Sequence, residues 1–366
     1  MKSLILEAVF TLAAASFNFG FTRRALPWTA LTLWTTLSLS TDAANAAHLF
    51  EWLPGVSWVR AAGFCFFLTA PLLLLSLHFW KRSAERVVTS RARRNFLRTS
   101  VALAATPAAG LALGFSIARR EAEVTEVNLR FSKLPRDLEG LRIVQLSDIH
   151  LSPFFSRDQL RRVVDQANEL RPTLAVVTGD LITSFGDPLD DALAELARLR
   201  AVAGIHGCLG NHEILAEAEE HATRQGARHG IHFLRSQHTS LRFGGAKLNL
   251  AGVDYQRKGK VYLPGADKMI RPEEFNLLLS HNPDVFPVAA AQGWDLTLAG
   301  HTHGGQITLE FLHPSLNPAR FYTPFTAGEY EQDGRRIFVT RGVGTVGVPL
   351  RLSAGPEIVL ARLTRL

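Results

Sequence analysis

A chain of 366 residues, 47% of them hydrophobic and 20% charged, can fill one large domain plus something smaller, with ample material for a core. Two cysteines exclude a disulfide framework, and they leave the compartment open. The formal charge of +7 does not mark a nucleic-acid binder, because much of the excess sits in one run from Lys81 to Arg98, with Arg119 and Arg120 close behind; that is a membrane-flank pattern.

Taken in chain order, the first part reads as a membrane anchor. Residues 3–21, 26–46, 56–80 and 97–118 are each long enough to cross a hydrocarbon core of about 30 Å. The third is the most apolar, while the first carries Glu7 and Asn18, which leaves three to four spans. Arg23 and Arg24 follow the first stretch; Lys81, Arg82, Arg86, Arg91, Arg93, Arg94 and Arg98 fill the third connection. By the positive-inside tendency these loops face the cytoplasm, so the chain after residue 121 would face outward. Arg93-Arg94-Asn95-Phe96-Leu97-Arg98 also matches a twin-arginine export pattern, or it is a plain charge anchor; both place the next domain on the same side.

From residue 122 short apolar runs alternate with amphipathic stretches. Strands are expected at Leu141 to Leu146, Leu174 to Val177 and Ala203 to Leu209, with helices at Arg157 to Leu170, Leu189 to Leu199 and Ile214 to Gln225. The period then shifts toward two, giving strands at Ile231 to Leu234, Ser240 to Phe243 and Lys247 to Val253. Buried strands at Phe275 to Leu279 and Asp295 to Ala299 flank a helix at Asp284 to Ala291, and Arg336 to Thr340 and Glu357 to Leu363 close the chain. This pattern predicts an α/β (α+β) domain over 122–366, with two mixed sheets and helices outside.

The chemistry lies where the strands stop. Asp148-Ile149-His150, Gly179-Asp180, Gly210-Asn211-His212-Glu213, Ser280-His281-Asn282-Pro283 and Gly300-His301-Thr302-His303 each end an apolar run. Carboxyl ends of strands gather ligand-binding residues in one crevice. His301 and His303, one residue apart in extended chain, face the same way. Each ending alone has a structural explanation, such as a helix cap for Asp180, a turn for Asn211 or a core imidazole for His281. Together they form an oxygen and nitrogen donor set without thiolate, suited to Zn, Mn or Fe. The dinucleotide-like Gly342-Val343-Gly344-Thr345-Val346-Gly347 precedes Pro349 rather than a helix, and reads as a tight loop near the metals.

The series Asp-x-His, Gly-Asp, Gly-Asn-His-Glu, His and Gly-His-x-His resembles that of calcineurin-like metallophosphoesterases over residues 126–362. Gly300-His301-Thr302-His303-Gly304-Gly305-Gln306 and Arg341-Gly342-Val343-Gly344 resemble the branch of membrane-anchored or exported bacterial phosphohydrolases that includes YkuE and YaeI. The resemblance implies a four-layer αββα sandwich and two divalent ions. One ion would be held by Asp148, His150, Asp180 and His303, the other by Asp180, Asn211, His281 and His301, with Asp180 bridging. It further implies attack on a phosphodiester or pyrophosphate by a hydroxide shared between the ions, with His212 as proton donor to the leaving oxygen or as a stabilising cation, and Glu213 orienting it.

The implied setting is a bacterial inner membrane with the catalytic domain on its periplasmic face and membrane lipids as neighbours. An apolar insertion between Gln306 and Gly334, with Phe311, Leu312, Leu316, Phe321, Tyr322 and Phe325, suggests a lid for a lipid-linked substrate or core packing under a long loop. Arg257, Lys258 and Lys260 suit a phosphate, an anionic surface or a solvated turn. Two alternatives are a cytoplasm-facing hydrolase of UDP-2,3-diacylglucosamine and a non-catalytic metal-binding scaffold. Nucleic acid is not expected, since no basic patch interleaved with aromatics occurs in the catalytic part.

Overall fold

The computed structural model describes residues 113–308, 310 and 317–366. Its first sheet has strands in the order β1-β12-β2-β3-β4-β5, and its second the order β10-β11-β9-β8-β7-β6. The first comprises β1 (Glu123–Phe131), β2 (Arg142–Leu146), β3 (Leu174–Thr178), β4 (Ile205–Cys208), β5 (Ile231–Phe233) and β12 (Glu357–Arg365). The second comprises β6 (Gln237–Phe243), β7 (Ala246–Gly252), β8 (Phe275–Leu279), β9 (Leu296–Ala299), β10 (Gly328–Gln332) and β11 (Arg335–Val339). Both sheets are mixed: β2 to β5 run parallel, whereas β12 is antiparallel to β2. In the second sheet β7, β8, β9 and β11 run parallel between two antiparallel edges.

Burial accounts for the layers. The inner faces of the two sheets share one core that includes Leu129, Ile143, Val176, Leu250, Leu277, Leu298 and Val359. The outer face of the first sheet packs through Val144, Leu146, Ala175 and Val177 against α1 (Arg157–Glu169), α2 (Leu189–Leu196) and α4 (Glu219–Arg228). The outer face of the second lies under α5 (Phe286–Gln292), through Leu278, Val285, Ala289 and Trp294. Strands buried on both faces read as unbroken apolar runs, as in β3 and β8.

Helix α1 begins at a capping box: Ser156 accepts from the Gln159 N–H, and the Gln159 side chain accepts from the Ser156 N–H at 2.9 Å. Its buried Leu160, Val163, Val164 and Ala167 follow helical spacing. The expected helix over 214–225 is instead two, α3 (Asn211–Leu215) and α4, because Glu217 adopts φ +52° between them.

Glu195 joins α1 to α2. Its buried carboxylate takes Arg157 at 2.7 Å, Arg161 at 3.0 Å and Arg198 at 2.9 Å. The Arg161 hydrogen bond, followed by those from Arg157 and Arg198, outweighs desolvation and brings its pKa down to about 2. A depressed carboxylate stabilises the fold fully above its unfolded value of about 4.5 and loses that contribution as pH falls toward 2. Glu195→Gln is expected to cost about 1–3 kcal/mol at neutral pH, toward the lower end because the guanidinium groups are half exposed. Thermal melts should show the gap to the wild type closing below pH 4.5; a gap unchanged at pH 3 would refute this assignment.

The expected multi-pass placement in an inner membrane is corrected. Among the described residues, no helix is long and apolar enough to cross a membrane. Residues 113–118, the described part of the fourth candidate span, are helical. The candidate spans 3–21, 26–46 and 56–80, the basic loop and the twin-arginine-like motif lie outside the described residues.

Candidate metal centre

All five ligand-bearing strand ends open toward one place. His150 Nε2 lies 3.1 Å from His303 Nε2 and 3.5 Å from Asp180 Oδ2, and His303 Nε2 lies 3.4 Å from Asp148 Oδ1. On the other side of Asp180, Oδ2 is 3.0 Å from His281 Nε2, which is 3.2 Å from His301 Nδ1. Asp180 Oδ2 therefore faces two groups of donors, one with Asp148, His150 and His303, the other with His281 and His301.

The backbone is bent to make this convergence. Asp148, His150, Asp180, His301 and His303 all have positive φ, between 47° and 76°. Non-glycine residues reach that region at a cost of roughly 1–3 kcal/mol each, and the surroundings must hold them there. Carbonyls of the Asp180 loop accept from the Asp148, Ile149 and His150 N–H groups at 2.8–3.1 Å. Glu213, fully buried, accepts from the N–H groups of Gly210 at 2.7 Å, Leu181 at 2.7 Å and Asp180 at 3.0 Å. It thus fastens the Asp180 and Asn211 loops together; the expected role of orienting the His212 ring is replaced by this one.

The motif glycines mark close approaches. A Cβ at Gly210 would stand 2.1 Å from Asp180 Oδ1, and one at Gly300 would stand 2.3 Å from Asp148 Oδ2. Gly342 and Gly344 press on the same strand end, so the Gly342–Gly347 stretch is a loop behind Asp148 and opens no helix.

His281, His150 and His301 each have an acceptor for the outward nitrogen, as ligating histidines do, whereas the neighbour of the His303 outward nitrogen is a guanidinium. His281 Nδ1 donates to Thr178 O at 2.7 Å, and His150 Nδ1 meets Thr183 Oγ1 at 3.3 Å. His301 Nε2 meets Tyr255 Oη at 3.5 Å, and His303 Nδ1 meets Arg351 Nη2 at 3.4 Å. His212 Nδ1 donates to Thr183 O at 2.5 Å, which leaves its Nε2 facing His150 and Asp180. Its ring stands edge-on to that of His150, 4.7 Å away. The His212 N–H also donates to Asp180 Oδ1 at 3.0 Å and so turns Oδ2 toward the histidines.

Burial sets the charges. Desolvation lowers His150 to about 3 and His301 to about 4, and holds His303 well below the usual imidazole range, so these three are neutral at neutral pH. Desolvation also raises Asp148 to about 6, against the pull of His281. For the Asp180–His281 pair, burial opposes ionisation of both, but their mutual attraction wins, with Asp180 well below the usual carboxylate range and His281 raised to about 10.

These residues fit cations. Asn211 Oδ1, between two residues that abut Asp180, is buried without a hydrogen-bond partner among the described residues. An acceptor in that condition is costly unless a ligand takes it up. The donor set is Asp, His and Asn with no thiolate, as borderline-to-hard divalent ions prefer.

Other polar and apolar residues of the motifs and loops divide between structural contacts and exposed positions. Asn282 caps the turn after β8 and donates to Gln256 O at 2.6 Å; Gln306 bonds Val346 and Val348. Arg257, Lys258 and Lys260 are exposed, with Lys258 bonded to Tyr322 O. In the insertion, Phe325 packs on Phe286 and Tyr330, whereas Phe321 and Tyr322 are exposed; Phe311, Leu312 and Leu316 lie outside the described residues. Thr183, Tyr255, Arg351 and Glu357 were not singled out by sequence. Glu357, buried at the start of β12, accepts from the Arg341 backbone at 2.9 Å and from its guanidinium at 2.9 and 3.1 Å, fixing the loop behind Asp148.

Two sheets with imidazoles and carboxylates converging at their carboxyl ends define a candidate metal centre of oxygen and nitrogen donors. The calcineurin-like phosphoesterase family model matches residues 141–305. The chain is 32% identical over 279 residues to a protein of Bacillus subtilis (strain 168) named uncharacterized metallophosphoesterase YkuE, covering 74% of this chain and 97% of that one. It is 33% identical over 291 residues to a Danio rerio protein named transmembrane protein with metallophosphoesterase domain, covering 76% of this chain and 64% of that one. An uncharacterized metallophosphoesterase of Aquifex aeolicus is 30% identical over 251 residues, with 66% and 91% covered. The chain belongs to the calcineurin-like phosphoesterases.

Proposed function

We propose that the chain hydrolyses a phosphodiester or pyrophosphate bond at a two-metal centre. One ion would be held by Asp148, His150, Asp180 and His303, the other by Asp180, Asn211, His281 and His301. The observation that carries this is the placement of Asp180 Oδ2 between the two donor groups, 3.5 Å from His150 Nε2 and 3.0 Å from His281 Nε2. An anionic atom shared in this way offsets the repulsion between neighbouring cations. Mn, Zn and Fe all suit the set.

Bound there, the ions supply the positive charge that polarises the phosphoryl group and activates water. The protein supplies position. Asp180 is held by Glu213 and the His212 N–H, Asp148 by the glycine loop, and His212 presents Nε2 for the leaving oxygen. Exposed Phe321 and Tyr322 belong to a segment tied to the ligand loop through Asn317 and Gly304, which supports an apolar portion in the substrate, as in a lipid-linked phosphodiester.

Chelation followed by single-metal refilling tests the proposal. Removal of metal from the full chain should abolish hydrolysis of bis(p-nitrophenyl) phosphate, a loss of at least about 10³-fold, and refilling should restore it as a second equivalent binds. Activity that survives exhaustive chelation, or is complete with one equivalent, refutes the two-metal reading. A lipid-linked pyrophosphate in the same assay distinguishes the substrate classes.

A further inference from the structure

Arg351 is completely buried, and among the described residues no carboxylate lies within ion-pair distance of it, Asp148 and Glu357 acting on it only from further off. Burying a guanidinium without an anion is costly, so its hydrogen bonds must hold it there. They all go to backbone carbonyls of two adjoining loops. Nε donates to Gly344 O at 3.0 Å, Nη1 to Ala354 O at 2.8 Å, and Nη2 to Arg341 O at 2.9 Å and Gly342 O at 3.1 Å. Nη2 also packs 3.4 Å from His303 Nδ1, a contact rather than a hydrogen bond when His303 ligates through Nε2, because Nδ1 then carries the proton and a guanidinium cannot accept it.

The loop so gathered is the one that presses on Asp148. Val343 N donates to Ser147 O at 3.0 Å and Gly344 N to Asp148 O at 2.7 Å. A Cβ at Gly342 would stand 2.4 Å from Asp148 Cβ, and one at Gly344 would stand 1.9 Å from Ile149 O. Arg351 therefore touches one ligand, His303, and braces a second, Asp148, both on the same side of Asp180. The side chains of the opposite group lean on other residues, His281 on Thr178 O and His301 on Tyr255, and only the His301 backbone N–H, which donates to Asp148 Oδ1 at 3.0 Å and Oδ2 at 3.1 Å, joins the two groups.

We infer that Arg351 is a positioning residue for one ion only, the one assigned to Asp148, His150 and His303. This rests on the two-metal reading above. A planar fork of donors suits the task, because it fixes several carbonyls at once, which a lysine cannot do.

The test is manganese titration of the full chain by calorimetry and electron paramagnetic resonance. In Arg351→Lys one of the two ions should bind about 10–100-fold more weakly, the range seen when partners of metal ligands are removed. The spin-coupled signal of a manganese pair should give way to that of an isolated ion. In a His301→Ala background the same change should weaken the remaining ion by the same factor; in a His303→Ala background it should leave the ion on the far side of Asp180 unchanged. Two ions bound with wild-type affinity, or both weakened alike, would overturn the inference. So would failure of both Arg351→Lys and Arg351→Gln to fold, since Arg351 would then be a strut of the domain. If the wild type itself binds fewer than two ions, the two-metal reading fails instead.

Discussion

Asp180→Asn is expected to lower turnover by at least about 10³-fold at saturating metal and to weaken both ions together, an effect no other single ligand should reproduce. The residue is held from several directions. Its backbone has φ +55°, its N–H donates to Glu213, Oδ1 takes the His212 N–H at 3.0 Å, and Gly210 leaves no room for the carboxylate to move aside. Asparagine keeps the size but has no charge, and it offers one oxygen where two are used. If that oxygen stays with His212, an NH₂ faces His150 and His281. If it turns inward, the NH₂ meets the His212 N–H. Neither arrangement gives an anionic atom between the donor groups. By contrast, His301→Ala or His303→Ala should weaken one ion and spare most of the other. Metal content by plasma mass spectrometry, together with steady-state turnover, checks the prediction. An Asp180→Asn protein that keeps two ions and turnover within about tenfold would show that the centre does not depend on a shared carboxylate.

Much of this centre can be read in the sequence because each ligand follows a strand buried on both faces. Leu174 to Thr178 and Phe275 to Leu279 are unbroken apolar runs, and a polar residue directly after such a run lies at the sheet's carboxyl edge. The missed strands are β1 and β10, both at sheet edges. Glu123–Phe131 is exposed or half-buried except at Leu129 and Phe131, and Gly328–Gln332 has no fully buried residue. Pairing with one neighbour and mixing with solvent leaves little hydrophobic pattern to find. The second layer of the centre was hidden for another reason. Tyr255 and His301 are 46 residues apart, and Arg351 and His303 are 48 apart, so no local spacing joins them. In Leu350-Arg351-Leu352 the flanking leucines suggest a charge facing outward, yet Arg351 is fully buried while Leu352 is half-buried. Carbonyls of a distant loop, not local alternation, decide that orientation.

His212→Asn should separate proton donation from metal binding. Because His212 Nδ1 is committed to Thr183 O, its Nε2 is the atom available at the centre. The Nδ1 bond also fixes the ring edge-on to His150 rather than stacked on it, unlike His303, which lies nearly parallel to His150. A donor held this way matters in proportion to how badly the departing oxygen needs a proton. For an alkyl phosphodiester, whose leaving alkoxide is strongly basic, the substitution should lower kcat by about 10²–10⁴-fold. For a p-nitrophenyl ester, whose phenolate leaves unaided, the loss should be about tenfold or less. Asparagine retains the backbone N–H that bonds Asp180 Oδ1, so both ions should stay bound. A series of aryl and alkyl esters with metal content measured in parallel reads both quantities. Equal losses across the series would assign His212 to stabilising charge on the phosphoryl oxygens, since that need does not follow leaving-group basicity. Loss of an ion would make it a ligand through Nε2, which its grouping with His150 and Asp180 also permits. A steeper dependence on leaving-group basicity in the variant, at unchanged metal content, fits only the proton donor.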